Sequence, residues 1–164
     1  MFRALALAPE TLSKLLGLSL DEMDCSGMRL HLDKVFRFKS AGMLGKSSKG
    51  LSDVEEIEPI EGRYKLGCGC YKIRYREVVK VPNNCIAIAI PRSSLLRMGV
   101  VIFSAVWDPG YEGRGEGMML VANPFGVELE VGAQIAQLVF ISMDRATSKV
   151  YRGSYFRENI GAKP

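Results

Sequence analysis

The sequence predicts a mainly β fold: a distorted β-barrel or jelly-roll, one domain over residues 1–164, with a short N-terminal helix. Three observations predict it. Apolar residues recur in short runs, some alternating with polar residues and some continuous, as half-buried and buried strands require. Pro, Asn or Gly separates most of these runs, at Pro82-Asn83-Asn84, Pro91, Pro109-Gly110, Asn123-Pro124 and Gly132. The 164 residues include 17 Gly and 7 Pro, more breakers than a helix bundle tolerates. Hydrophobic residues make up 48% and charged residues 24%, so the chain has the apolar surface that a disordered segment lacks.

The helix comes first, over about 9–17. Pro9 suits a first turn, Glu10 complements the positive helix end, Leu12, Leu15 and Leu16 share a face, and Gly17 offers a left-handed stop. After Gly27 the period becomes two. Leu30, Leu32, Phe36 and Phe38 alternate with His31 and Arg37, a half-buried strand with an irregularity near Asp33. Residues 41–59 are polar and rich in Gly and Ser, with Asp53, Glu55, Glu56 and Glu58 clustered; they read as a long surface loop with a solvated acidic face. Tyr71, Ile73 and Tyr75 then alternate with Lys72, Arg74 and Arg76. Cys85–Ile90 is a short continuous apolar run, and 100–106, 118–122, 127–131 and 135–141 complete the strands. A basic tail from about 152 to 164 reads as mobile.

Composition narrows function. Lys and Arg number 22 against 18 Asp and Glu, a net charge of +4 that suits a small anionic ligand and lacks the dense basic stripe of a nucleic-acid binder. No run approaches the roughly 20 apolar residues of a membrane span. The stretch Ala4–Ala8 after Arg3 is too short for a leader and ends at Pro9 and Glu10. Cys25, Cys68, Cys70 and Cys85 do not form a C-x-x-C, and a single His is present to assist them. They read as free buried thiols of a cytoplasmic protein, with a structural disulfide as the alternative.

Four segments carry chemistry. In Pro91–Gly99 (PRSSLLRMG), Arg92 and Arg97 bring guanidinium groups that match phosphate oxygens bidentately, and Ser93 and Ser94 add hydroxyl and backbone donors. Taken alone, the same segment is also a helix cap followed by a surface turn. In Trp107–Gly113 (WDPGYEG), Asp-Pro-Gly is a strong turn signal, and Asp108 and Tyr111 flank it as if projecting from a hairpin mouth. A carboxylate there can orient water; a plain hairpin is the alternative. In Gly132–Phe140, Gln134 and Gln137 interrupt an apolar strand and need partners or an opening. Finally, Tyr151–Arg157 (YRGSYFR) carries Arg152, Ser154 and Arg157 late in the chain, as a closing segment or a basic tail.

P-R-S-S-L, D-P-G-Y-x-G, G-x-x-I-A-Q-L and a late R-G-S, in this order over about residues 75–154, resemble the trimeric dUTPase and dCTP deaminase superfamily. Arg76–Pro82 and, more distantly, residues 26–38 resemble its strands. The resemblance implies a dUTPase-like β-clip subunit in a homotrimer with active sites between subunits. It implies that Arg92, Ser93, Ser94 and Gln137 handle phosphates, while in the late segment Arg152 or Arg157, with Ser154, is the candidate to close on them. Asp108 would direct the attacking water, Tyr111 would pack on deoxyribose, and Mg2+ would be held mainly by the substrate phosphates, with no metal-ligating residues of the chain. Deaminases of the family carry a Glu about ten residues after this Asp. Counting forward reaches Met118, and counting back from Asn123 reaches Leu120; neither moves a proton. Glu116 shares the parity of Met118 and reads as a solvated residue of the turn R-G-E-G.

The chain departs from the family in three places. Arg29 stands where the first strand carries an Asp, with Asp33 a few residues on; the glycine-rich final motif is replaced by RGSYFREN; and D-P-G-Y is nearer the deaminase turn. Together these point to a deaminase-type dUTPase that converts dUTP to dUMP and pyrophosphate, limiting uracil incorporation into DNA. The alternatives are a dCTP deaminase, alone or bifunctional, and a non-catalytic nucleotide-binding trimer.

Overall fold

A computed structural model describes residues 5–161; residues 1–4, where the N-terminal apolar run begins, and 162–164 of the expected mobile tail lie outside the described residues. Helix α1 spans Pro9–Leu16, and Gly17 closes it at φ 67°, a left-handed turn that a side chain would strain. Leu12 is buried and Leu16 half-buried, but Leu15 is 43% exposed, so the apolar face is narrower than three leucines suggest.

The sheet is built on β1 (Gly27–Phe38), joined by β2 (Gly69–Tyr75), β3 (Cys85–Pro91), β4 (Val100–Phe103), β5 (Glu116–Val121) and β6 (Gln134–Ser142). Their hydrogen-bonded order is β4-β5-β2-β1-β6-β3, with antiparallel pairing throughout. The first half of β1 pairs with β6 and the second half with β2, so one long strand carries the sheet around a bend. Helix α2 (Ser93–Arg97) links β3 to β4, whose closeness nearly completes a barrel. The irregularity expected near Asp33 is a register shift between Leu32 and Lys34. It lets Leu32 and Val35, an odd interval apart, both enter the core.

Residues 41–59 are more ordered than a loop. Met43–Leu44 pairs with Lys49–Gly50, and Val54–Glu56 pairs with Phe36–Phe38, satisfying the end of β1 that β6 does not reach. The acidic cluster is dispersed into ion pairs: Glu56 meets Lys34 at 2.8 Å and Glu55 meets Lys39 at 3.2 Å. The run at 85–90 alternates in the fold. Cys85, Ala87 and Ala89 are buried, while Ile90 is exposed and Ile86 and Ile88 are half-buried on the outer side. The four cysteines are free, but only Cys85 is buried. Cys68 lies in the turn entering β2, and Cys70 occupies the outward parity opposite buried Tyr71, so both are exposed. Among the described residues no helix is long and apolar enough to cross a membrane.

Candidate active site

The hairpin that follows β4 is pinned to the barrel before it turns. Trp107 exchanges backbone hydrogen bonds with Ala87 of β3, at 2.8 and 3.0 Å. The Tyr111 amide donates to the Asp108 carbonyl at 3.0 Å, closing the predicted turn, and Gly110 sits at φ 79° where only glycine is at ease. Asp108 is exposed at this turn, and its carboxylate makes no hydrogen bond among the described residues.

Tyr111 does not project with it. Its ring is 7% exposed, set edge-on to Trp107 at 5.1 Å and beside Tyr151 at 5.9 Å, and its hydroxyl donates to Glu158 Oε1 at 2.8 Å. Burying a ring among other aromatics outweighs exposing it at a hairpin tip. Burial, then the neighbouring Glu158, pushes the Tyr111 hydroxyl pKa far up. Burial also raises the Glu158 carboxyl above its ordinary value, against the lowering effect of the Tyr111 hydrogen bond.

These residues wall a cleft of about 570 Å3 that also takes in Lys72, Trp107, Asp108 and Glu116. Glu116 is not the solvated turn residue the sequence suggests. It opens β5 opposite Arg74, and its carboxylate pairs with Lys72 at 2.9 Å and Arg74 at 3.4 Å. Met118 follows on the same parity, opposite Lys72 and 39% exposed.

The C-terminal segment roofs this cleft within its own chain. Tyr151 donates from its amide to the Pro109 carbonyl at 2.8 Å, Arg157 to Glu112 at 2.6 Å, and Arg114 to Glu158 at 3.0 Å. The Asn159 side chain donates to the Arg114 carbonyl at 2.9 Å. Arg152 reaches the Gly110 carbonyl at 3.2 Å and lies over the Phe156 ring, Ser154 accepts from Lys49 at 3.0 Å, and Arg157 Nε lies 3.6 Å from Glu112. Residues 152–161, which the sequence reads as part of a mobile tail, thus hydrogen-bond with the 108–116 hairpin.

The serine segment lies elsewhere. Ser93 and Ser94 open α2 and are exposed, as is Arg97 in its last turn. Arg92 donates through Nη1 to Gln134 Oε1 at 3.0 Å, and Gln134 Nε2 donates to Asp24 Oδ2 at 2.8 Å. The other Asp24 oxygen accepts from the Cys25 amide at 2.9 Å. The Gln134 hydrogen bond, then that of Cys25 and the charges of Arg29 and Arg92, hold the Asp24 carboxyl below its usual range. A register shift between Gln134 and Ala136 buries both Ile135 and Ala136. Gln134 and Gln137, three residues apart, therefore both stay out of the core, with Gln137 opposite Arg29 of β1.

The fold thus sorts the predicted residues into two groups. Asp108 and Tyr111 share the cleft, beside the segment that carries Arg152 and Ser154; Arg92, Ser93, Ser94, Arg97 and Gln137 are absent from its lining. Sequence reasoning did not find Asp24, Lys72 or Glu158. Asp24 acts 110 residues from Gln134, and no local pattern announces such a partner. Among the described residues no three His, Cys, Asp or Glu gather as a metal site.

Comparison with known proteins places this geometry. The family described as dCTP deaminase-like matches residues 16–143. A "Probable deoxyuridine 5'-triphosphate nucleotidohydrolase" of Aeropyrum pernix is 41% identical over 135 residues, covering 82% of this chain and 85% of its own. The deoxyuridine 5'-triphosphate nucleotidohydrolase of Methanocaldococcus jannaschii is 37% identical over 143 residues, covering 85% and 90%. The crystal structure of 2'-deoxycytidine 5'-triphosphate deaminase from Agrobacterium tumefaciens superposes with a TM-score of 0.65 at 18% identity, over 85% of this chain and 47% of that one. That structural likeness bears on the fold, which is the β-rich barrel the sequence predicts.

Proposed function

The chain belongs to the dCTP deaminase-like family, and from that premise we propose that it hydrolyses dUTP to dUMP and pyrophosphate. The observation that carries the reading is the division of labour among the carboxylates of the cleft. Glu116 is neutralised by Lys72 and Arg74, Glu158 is bonded by Tyr111, and Asp108 alone of the three is exposed and uncommitted. Met118 and Leu120, the two positions at which counting places a deaminase Glu, carry no group that could move a proton. Relatives at 37–41% identity that carry the nucleotidohydrolase name support the same choice.

In this reading Asp108 accepts a proton from water as the water oxygen attacks the α-phosphorus. The bond from that phosphorus to the oxygen bridging the α- and β-phosphates breaks, and pyrophosphate leaves with the bonding electrons. The Tyr111 ring forms the wall against deoxyribose, and main-chain groups of residues 103–111 read uracil. A cytosine there would leave a buried polar group unpaired, at a cost of about 1–3 kcal/mol. Arg92, Ser93, Ser94, Arg97 and Gln137 hold the phosphate chain, and Arg152 and Ser154 close near it.

Because the cleft lining omits the serine segment, the site is completed between subunits, which favours a homotrimer. The outward Ile86, Ile88 and Ile90 supply apolar surface for such contacts. Magnesium enters with the substrate, on its phosphates. Asp24, the carboxylate beside Arg92, has both oxygens engaged, which fits a metal held by phosphate rather than by this face. Three exposed free thiols suit a reducing, cytoplasmic setting.

The test supplies magnesium with dUTP, dCTP and UTP separately and assays pyrophosphate and ammonia. The expected result is pyrophosphate from dUTP alone. Asp108→Asn is expected to lower that turnover by about 10²–10⁴-fold with nucleotide affinity nearly intact. Ammonia from dCTP, or full turnover in Asp108→Asn, overturns the assignment.

A further inference from the structure

Arg29 stands where the family resemblance leads one to expect a first-strand aspartate, and its surroundings give that change a purpose. It faces outward from β1, half-buried, directly opposite Gln137 in the β1–β6 pairing. Its guanidinium makes one hydrogen bond among the described residues, from Nη1 to the Asp21 carbonyl at 3.0 Å. Its Nε is buried without a partner. An unpaired buried donor is destabilising, and in a native fold it asks for an acceptor.

The neighbouring groups do not supply one. Asp24 lies close enough for Arg29 and Arg92 to act on its charge, but the hydrogen bonds it accepts come from Cys25 and Gln134 and from neither arginine. His31, the next outward residue of β1, is already paired with Glu77. Arg29 and Arg92 therefore hold two positive charges around one occupied carboxylate, beside the amides of Gln134 and Gln137. That arrangement is matched by an anion rich in oxygen acceptors.

We infer that Arg29 is a phosphate-binding residue whose guanidinium, with Arg92 and Gln137, holds the β- and γ-phosphates of the substrate. The inference rests on the dUTP reading above. Asp108 directs water at the α-phosphate from the cleft, and the serine segment is absent from that cleft's lining. The outer phosphates are what remains for the Arg29 face. An aspartate at this position would repel the same phosphates.

The test compares wild type, Arg29→Gln, Arg29→Ala and Arg29→Lys by calorimetric binding of the hydrolysis-resistant α,β-imido analogue of dUTP and, separately, of dUMP. Arg29→Gln keeps a donor for the Asp21 carbonyl and removes the charge, so it reads the charge should Arg29→Ala fail to fold. Arg29→Gln is expected to weaken the analogue by about tenfold or more and dUMP by less than about twofold. Arg29→Lys recovers part of the loss, and KM for dUTP rises in Arg29→Gln with kcat near wild type. Unchanged analogue affinity in the folded variants, or an equal loss for the analogue and dUMP, overturns the role. Wild type that releases no pyrophosphate from magnesium and dUTP overturns the substrate reading instead. The imido analogue of whichever deoxynucleoside triphosphate it does bind then decides Arg29, and failure to bind any overturns both.

Discussion

The Asp108 cleft is closed by its own chain, whereas the serine segment at Arg92–Arg97 lies uncovered on the outside of the barrel. The cleft is walled by the rings of Trp107, Tyr111 and Tyr151, with the fully buried Tyr75 packed behind Trp107, and neighbouring rings lie 5.1–6.0 Å apart. Each such pair adds about 0.5–1.5 kcal/mol beyond its buried area, so this wall is held together within the single chain. The serine face is held by a short polar chain, Asp24–Gln134–Arg92, which orients donors without covering them. The contrast suits a reaction in which the attacked phosphorus needs a fixed geometry and the leaving pyrophosphate needs charge that can let go.

Substitutions on the two sides are expected to separate chemistry from binding. The largest effect is that of Asp108→Asn, on turnover with affinity spared. Next, Arg92→Ala removes a charged donor and frees Gln134. It is expected to weaken the triphosphate analogue by about 10- to 100-fold, with kcat at saturation much less changed. An affinity loss matched by an equal kcat loss would mean that the serine face takes part in the chemical step.

A third substitution tests the rigidity of the cleft. A Cβ on Gly115 would stand 2.5 Å from Cη2 of Trp107. Gly115→Ala is expected to cost about 1–3 kcal/mol of stability as the ring is displaced, lowering the melting temperature and kcat together. An unchanged melting temperature would show the aromatic wall to be loosely packed.

The smallest effect concerns the roof. Burial raises the Glu158 pKa, so the docked segment holds a proton more readily than the undocked one. Docking is then favoured below the ordinary carboxylate value and weakens as pH rises through the raised value. Hydrogen exchange of residues 151–161, corrected for intrinsic rates, is expected to speed up modestly from acid to neutral pH, and Glu158→Gln should flatten that dependence. A pH-independent wild type would leave the Tyr111 hydrogen bond as the dominant influence on Glu158.

The elements with a local cause were legible in the residues. Pro9 and Gly17 bound α1, Asp108-Pro109-Gly110 makes its turn, and the alternation along β1 and β2 assigns their inner faces. The predicted helical turn at the serine segment is α2. Legibility ended where a side chain's role depends on a distant partner. Tyr111 reads as a projecting residue until Trp107, Tyr151 and Glu158 surround it, and Glu116 reads as solvated until β2 brings Lys72 and Arg74 alongside. Cys25, Cys68 and Cys70 read as buried for the same reason, and the turns and strand faces on which they fall leave all three exposed.

By itself the chain's order of residues determined the β-rich barrel, the short helix and the motifs it shares with its family, because periodicity, turn preference and donor chemistry are properties of neighbouring residues. Only the tertiary structure decided that Asp108 is the uncommitted carboxylate of its cleft, that the serine segment belongs to another face, and that the buried Nε of Arg29, on the strand position opposite Gln137, has no partner among the described residues. Those facts depend on strand register and on charges brought together from far along the chain, and no short-range pattern encodes either.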